Sequence, residues 1–201
     1  MQRLYSDLSA VLNPKQPEFV LVTSDYSKKP LAKYNIAHFY QFTAETNRMN
    51  VIPDACVDLL FWRKNGKLIT KIAGSRLEKG ETDADPNSEY FGVRFMPGVN
   101  PVDKNLSLSE IVNHEWDFED MLSYDEKEPL LESLFFTNSF DDKINIFMSY
   151  CLKKIEHQSE DTKSLKYFVR NEIIKSNGNL KLSDLSTMTG YSERYLNNKN
   201  K

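Results

Sequence analysis

VIPDACVDLLFWRKNGKLITKIAGSR, residues 51–76, carries the strongest fold signal in the first half of the chain. Two apolar runs flank Asn65-Gly66. An Asn-Gly pair in that setting favours a type I′ turn, because both central residues then take positive φ. The stretch therefore predicts a β-hairpin. Upstream, PEFVLVTSD (17–25) and NIAHFYQFTAE (35–45) are short β-branched or aromatic runs bounded by polar residues, and they read as strands. Downstream, LEKGETDADPNSE (77–89) reads as a polar loop. In YFGVRFMPGV (90–99), Phe91, Val93 and Phe95 share one strand face, while Gly92, Arg94 and Met96 share the other. Several short strands with turn signals between them point to a sandwich or barrel.

After about Ser107 the period changes. LSEIVNHEWDFEDML (108–122) places Leu108, Ile111, Val112 and Trp116 at helical spacing, so a helix is expected there. Ser139 is a candidate N-cap for a helix over 141–157, with Asp141 and Asp142 in its first turn and Lys153 and Lys154 in its last, as the helix dipole favours. Its apolar stripe, Ile144, Phe147, Met148 and Cys151, reads as core or a dimer seam. HQSEDTKS (157–164) is a polar break. SLKYFVRNEIIKSNG (164–178) is a further amphipathic helix ended by Asn177-Gly178.

The chain has 201 residues, 40% of them hydrophobic and 12% aromatic, which suffices for a real core. Cys56 and Cys151 are too far apart for a C-x-x-C pair, which argues against a disulfide framework or zinc site and suits a reducing cytosol. No signal-like apolar run opens the sequence, and no stretch approaches the ~18 apolar residues of a membrane span. A cytoplasmic protein is expected. Residues 160–201 carry eight basic against five acidic side chains, while the whole chain has a net charge of −3. A mildly basic tail on an acidic body is compatible with a DNA-facing end.

In LKLSDLSTMTGYSERYLNN (180–198), Leu182, Leu185 and Met188 make the expected buried side of one short helix. Gly190 supplies a turn, and Tyr191 is placed to plug the gap. Ser192 is a candidate N-cap for a second helix, and Tyr195 and Leu196 are expected to turn back toward the first. Arg194, Asn197 and Asn198 then face outward, and such side chains make bidentate contacts to guanine or adenine edges. This is the layout of a helix-turn-helix.

The stretch is similar to the first helix-turn-helix of AraC-type transcription regulators, whose pattern runs roughly L-x-x-L-A-x-x-x-G-Y-S-x-x-Y-L. Leu182, Leu185, Gly190, Tyr191, Ser192, Tyr195 and Leu196 match it, and Ser186 occupies the small position. VIPDACVDLLF followed by YFGVRFMPG resembles the cupin-like β-barrel sensor of one branch of these regulators. The resemblance implies an α+β chain with three parts. These are a cupin-like sensor or dimerisation barrel (1–125), a helical linker (126–160) and a partial all-α helix-turn-helix domain (161–201). It implies DNA contacts by Ser192, Arg194, Asn197 and Asn198, a small-molecule effector, and a homodimer. Asn200 stands where the family has a core Phe, Lys181 where it often has a capping Ser or Thr, and only the first of two helix-turn-helix halves is present. A truncated, weakly binding reader is therefore expected. The alternative is a stand-alone ligand-binding or dimerisation module that does not touch DNA.

Within the sensor half, Arg94 is a lone charge between apolar neighbours and wants a partner. Asp54 and Asp58 in PDACVD are candidates for an internal ion pair. The other reading makes Arg94 an anion-binding residue for an effector, with Tyr40, Phe42 and Trp62 lining the pocket. No catalysis and no cofactor are expected. His38, His114 and His157 are scattered, with no His-x-His pair for a cupin metal, and no Gly-rich phosphate loop or G-x-S-x-G pattern appears.

Overall fold

Asn65 and Gly66 take φ of 50° and 74°, the type I′ geometry, and join β4 (Asp58–Lys64) to β5 (Lys67–Ala73) in register Lys64↔Lys67. This hairpin lies within a six-stranded antiparallel sheet of order β1-β2-β7-β4-β5-β8. The remaining strands of that sheet are β1 (Thr23–Pro30), β2 (Ile36–Ala44), β7 (Glu89–Phe95) and β8 (Glu115–Asp117). A separate two-stranded ribbon pairs β3 (Arg48–Val51) with β6 (Gly80–Asp83). The structure is a computed structural model that describes residues 23–31, 34–102, 106–156 and 165–199, without the side chains of 151–156, 166, 167, 198 and 199.

Alternation along the central strands builds two different faces. Phe39, Leu59, Phe61, Phe91, Val93 and Phe95 share one face and are buried. Helix α2 (Tyr124–Phe136) and helix α3 (Phe140–Glu156) cover that face, contributing Leu130, Leu134, Ile144 and Phe147 to the same core. Ile144, Phe147 and Met148 of the apolar stripe expected on α3 are thus spent against this core, and the side chain of Cys151 lies outside the described residues. Ser139 caps α3, its hydroxyl accepting from the Asp142 amide at 3.3 Å. Within the helical linker expected over 126–160, Leu130 and Leu134 of α2 and Ile144 and Phe147 of α3 share the body's core.

Three expectations are corrected. The sheet does not close into a barrel: among the described residues β1 and β8 are its edges, and helices rather than further strands bury the apolar face. The helix expected over 108–122 is only one turn long, α1 (Leu108–Ile111). Asn113 then takes a left-handed φ of 61°, Glu115–Asp117 pairs with β5, and Phe118–Met121 forms a 3-10 turn. Long-range strand pairing overrides the local helical period there. The polar loop expected over 77–89 contains strand β6, held to β3 by register Arg48↔Asp83 and by an Arg48–Glu81 ion pair at 3.1 Å. The strand expected from residue 17 begins outside the described residues.

A second helical unit follows, made of α4 (Leu165–Lys175), α5 (Leu182–Thr189) and α6 (Glu193–Lys199). Val169, Leu185 and Leu196 form its buried cluster, with Leu165, Phe168, Leu180 and Leu182 packed against it. Asn177 and Gly178 end α4 with φ of 51° and 80°, as expected. No helix among the described residues is long and apolar enough to cross a membrane.

Candidate functional site

The α5–α6 unit is built from its turn. Gly190 ends α5 in the left-handed region at φ 72°, a conformation that costs an L side chain energy. Its amide donates to the Ser186 carbonyl at 2.9 Å, and the Ser186 hydroxyl donates to the Tyr191 carbonyl at 2.7 Å, which fixes the turn from both sides. Ser192 caps α6 through its hydroxyl, which accepts from the Tyr195 amide at 3.2 Å. Lys181, at the start of α5, has no capping oxygen of its own; Asp184 accepts its backbone amide instead, at 3.1 Å. Leu196 is fully buried and Leu185 nearly so, and Arg194 and Asn197 are exposed. The side chain of Asn198 lies outside the described residues.

Three apolar residues depart from the expected packing. Met188, Tyr191 and Tyr195 are exposed. The two tyrosine rings stack on each other at 4.6 Å instead of plugging the gap between helices. Spacing showed which side of the helix pair these residues occupy. How far the short helices cover them depends on packing that periodicity does not carry.

The second candidate place is the sheet face away from the helices. Strand register sets Arg94 opposite Asp58 on β4 and opposite His38 on β2. Nε and Nη2 of Arg94 donate to the two Asp58 oxygens at 2.9 and 2.7 Å, a bidentate fork, and Nη1 donates to Asp54 at 2.8 Å. The side chains are only 12–13% exposed. Asp54 also accepts the Cys56 amide at 3.0 Å, which ties the 54–56 turn to the cluster. All three guanidinium nitrogens are therefore committed to internal carboxylates, the arrangement the ion-pair reading of Arg94 requires.

Tyr40 lies beside this cluster, with the Arg94 guanidinium carbon 6.0 Å from its ring centre. Burial, then the Asp58 charge, pushes its hydroxyl well above the usual tyrosine range. The ring lies directly over Gly92, where an added Cβ would fall 2.2 Å from it. From Tyr40 a ladder of rings runs through Phe42 and Tyr90 to Trp62, whose indole donates to Asp85 at 2.6 Å. Tyr40 and Trp62, paired in the sequence reading as pocket residues, thus stand at opposite ends of one stack. His38 is buried, and burial, followed by the Lys28 and Arg94 charges, lowers its pKa to about 3. Cys56 is a free, buried thiol that burial pushes up. His114 is exposed, and His157 lies outside the described residues.

Residues 27–117 match the model of a family described as a domain of unknown function, DUF6597. The matched segment runs from within β1 to the end of β8, so the DUF6597 region contains the whole Arg94 cluster and the aromatic ladder, and it stops before the helical unit. No curated protein and no solved structure matches the chain.

Proposed function

We propose that the chain is a transcription regulator of the AraC type, in which the DUF6597 segment and its covering helices sense an effector or a partner and α5–α6 present a DNA-reading helix. One observation carries this reading: α5 and α6 fold about Leu185 and Leu196 through a Gly190 turn and a Ser192 cap, leaving Arg194 and Asn197 exposed on the short second helix. That is the architecture that places a helix in a major groove. Motif order supports it too, with a sheet domain first and the Gly-Tyr-Ser turn after it. The buried free thiol of Cys56 suits a reducing cytoplasm. Homodimerisation through the body belongs to the same reading, and no catalytic step is assigned.

α6 spans seven residues and brings one arginine to the groove. Binding that leans on phosphate contacts falls steeply with salt. The second reading is a ligand-binding or dimerisation module that never engages DNA. Fluorescence anisotropy on a labelled duplex from the gene's own upstream region separates the two. The regulator reading expects selective binding over a scrambled duplex and about tenfold weaker binding for Arg194→Ala, from loss of one bidentate base contact. Equal affinity for both duplexes, or no effect of Arg194→Ala, supports the module.

A further inference from the structure

A pocket of about 250 Å³ opens where the ends of β4 and β7 meet α2 and α3, away from the Arg94 cluster. Buried Phe61, Phe91 and Leu134, with Leu68, give it one apolar side, and Asn87 and Ser88 add to a polar one. Three charged side chains share it: Arg63, Glu89 and Lys143. Lys143 is 6% exposed, unusual for a lysine. Its ammonium donates to Gln41 at 3.0 Å and to Glu89. An ammonium has three donors, and among the described residues the third has no acceptor. Among the described residues Arg63 is held by neutral oxygens, Asn138 Oδ1 and the Thr137 carbonyl, both at 3.1 Å, and lies over the Phe135 ring at 5.2 Å. Two cations therefore face one carboxylate.

We propose that this pocket binds a small monocarboxylate with a flat apolar body. The carboxylate takes the unspent donors of Lys143 and Arg63 and cancels the single excess positive charge, while the body lies against Phe61, Phe91 and Leu134. The volume lies just below the ~300–1,000 Å³ typical of drug-sized sites, which limits the ligand to about one ring and its acid group. A phosphate brings more charge than the excess can balance and leaves the apolar lining unused. The site stands independently of the DNA-binding reading.

The full chain is titrated with benzoate, benzamide and inorganic phosphate by isothermal calorimetry. Benzoate should give a saturable change at millimolar concentration or below. Benzamide and phosphate should bind at least about tenfold more weakly, the worth of a charge-assisted hydrogen bond. Arg63→Gln, at an exposed position, should weaken benzoate about tenfold while leaving the melting temperature unchanged; Lys143→Met should do the same, and Arg63→Gln keeps the test valid if that buried substitution unfolds the protein. The proposal is overturned by a non-saturating benzoate response, by benzamide or phosphate binding as well as benzoate, or by an Arg63→Gln protein that binds benzoate like the parent.

Discussion

The sheet body and the C-terminal helical unit bury their apolar residues on very different scales. In the body, stacked, tilted and edge-on rings of Phe39, Phe61, Phe91 and Phe147 interlock α3 with the central strands. In the helical unit, Val169, Leu185 and Leu196 are the only buried apolar side chains among the described residues, and they join three helices of 11, 8 and 7 residues. Helices that short are marginal alone and live by tertiary burial. The contrast predicts that single losses cost the helical unit more of its structure than they cost the body.

The largest effects should fall where charge is buried in the body. Arg94→Met strands Asp54 and Asp58 without their cation, and breaking a buried pair costs about 3–5 kcal/mol. Urea denaturation should show a loss of that size, partly restored by adding Asp54→Asn and Asp58→Asn. A loss below about 1 kcal/mol would mean that the body does not depend on the cluster. Next is Leu196→Ala, at about 2–5 kcal/mol for a buried leucine. The contrast predicts that this substitution abolishes hydrogen-exchange protection over 165–199 and leaves the body's melting transition in place. Loss of both together would break the comparison.

The next test concerns pH. His38 has its pKa lowered from 6.5 to about 3, so the folded protein leaves it neutral while the unfolded chain protonates it below 6.5. The unfolded state then binds the extra proton, and stability rises with pH across that window and is lost as pH falls through it. The His38 share of the slope is about 1.4 kcal/mol per pH unit, and the difference between parent and His38→Gln in urea midpoints from pH 6.5 down to 4 should reveal it. Identical slopes would contradict the burial argument. Smaller still, Ser192→Ala should cost about 1 kcal/mol through the lost cap of α6, and Gly190→Ala about 1–2 kcal/mol for a left-handed alanine. Both should shorten protection in the helical unit alone.

Local chemistry made much of this legible. Asn65-Gly66 fixed the hairpin because positive φ at both residues has few other solutions. The alternation of Phe91, Val93 and Phe95 against Arg94 assigned strand faces correctly, and PDACVD held both partners of Arg94. Ser139, Gly178, Gly190 and Ser192 marked helix ends through caps and turns. What escaped was set by pairing across the chain. Residues 115–117 have a helical spacing until β5 captures them. The sheet stays open because α2 and α3 take the burial that a barrel would have supplied. The carboxylate pocket was invisible because Arg63, Glu89 and Lys143 lie far apart in sequence, and Lys143, in a polar first turn, looks like a solvated residue until the sheet covers it.

On the proposed reading, the α5–α6 unit meets DNA and the sheet does not. Amide chemical-shift mapping of the full chain, with an upstream duplex added at low salt, tests it most directly. The account predicts shifts concentrated at Ser192–Asn197 and the Gly190 turn, reversed by added salt, with β2, β4 and β7 unmoved. Shifts centred on those strands, or none near Arg194, would contradict it.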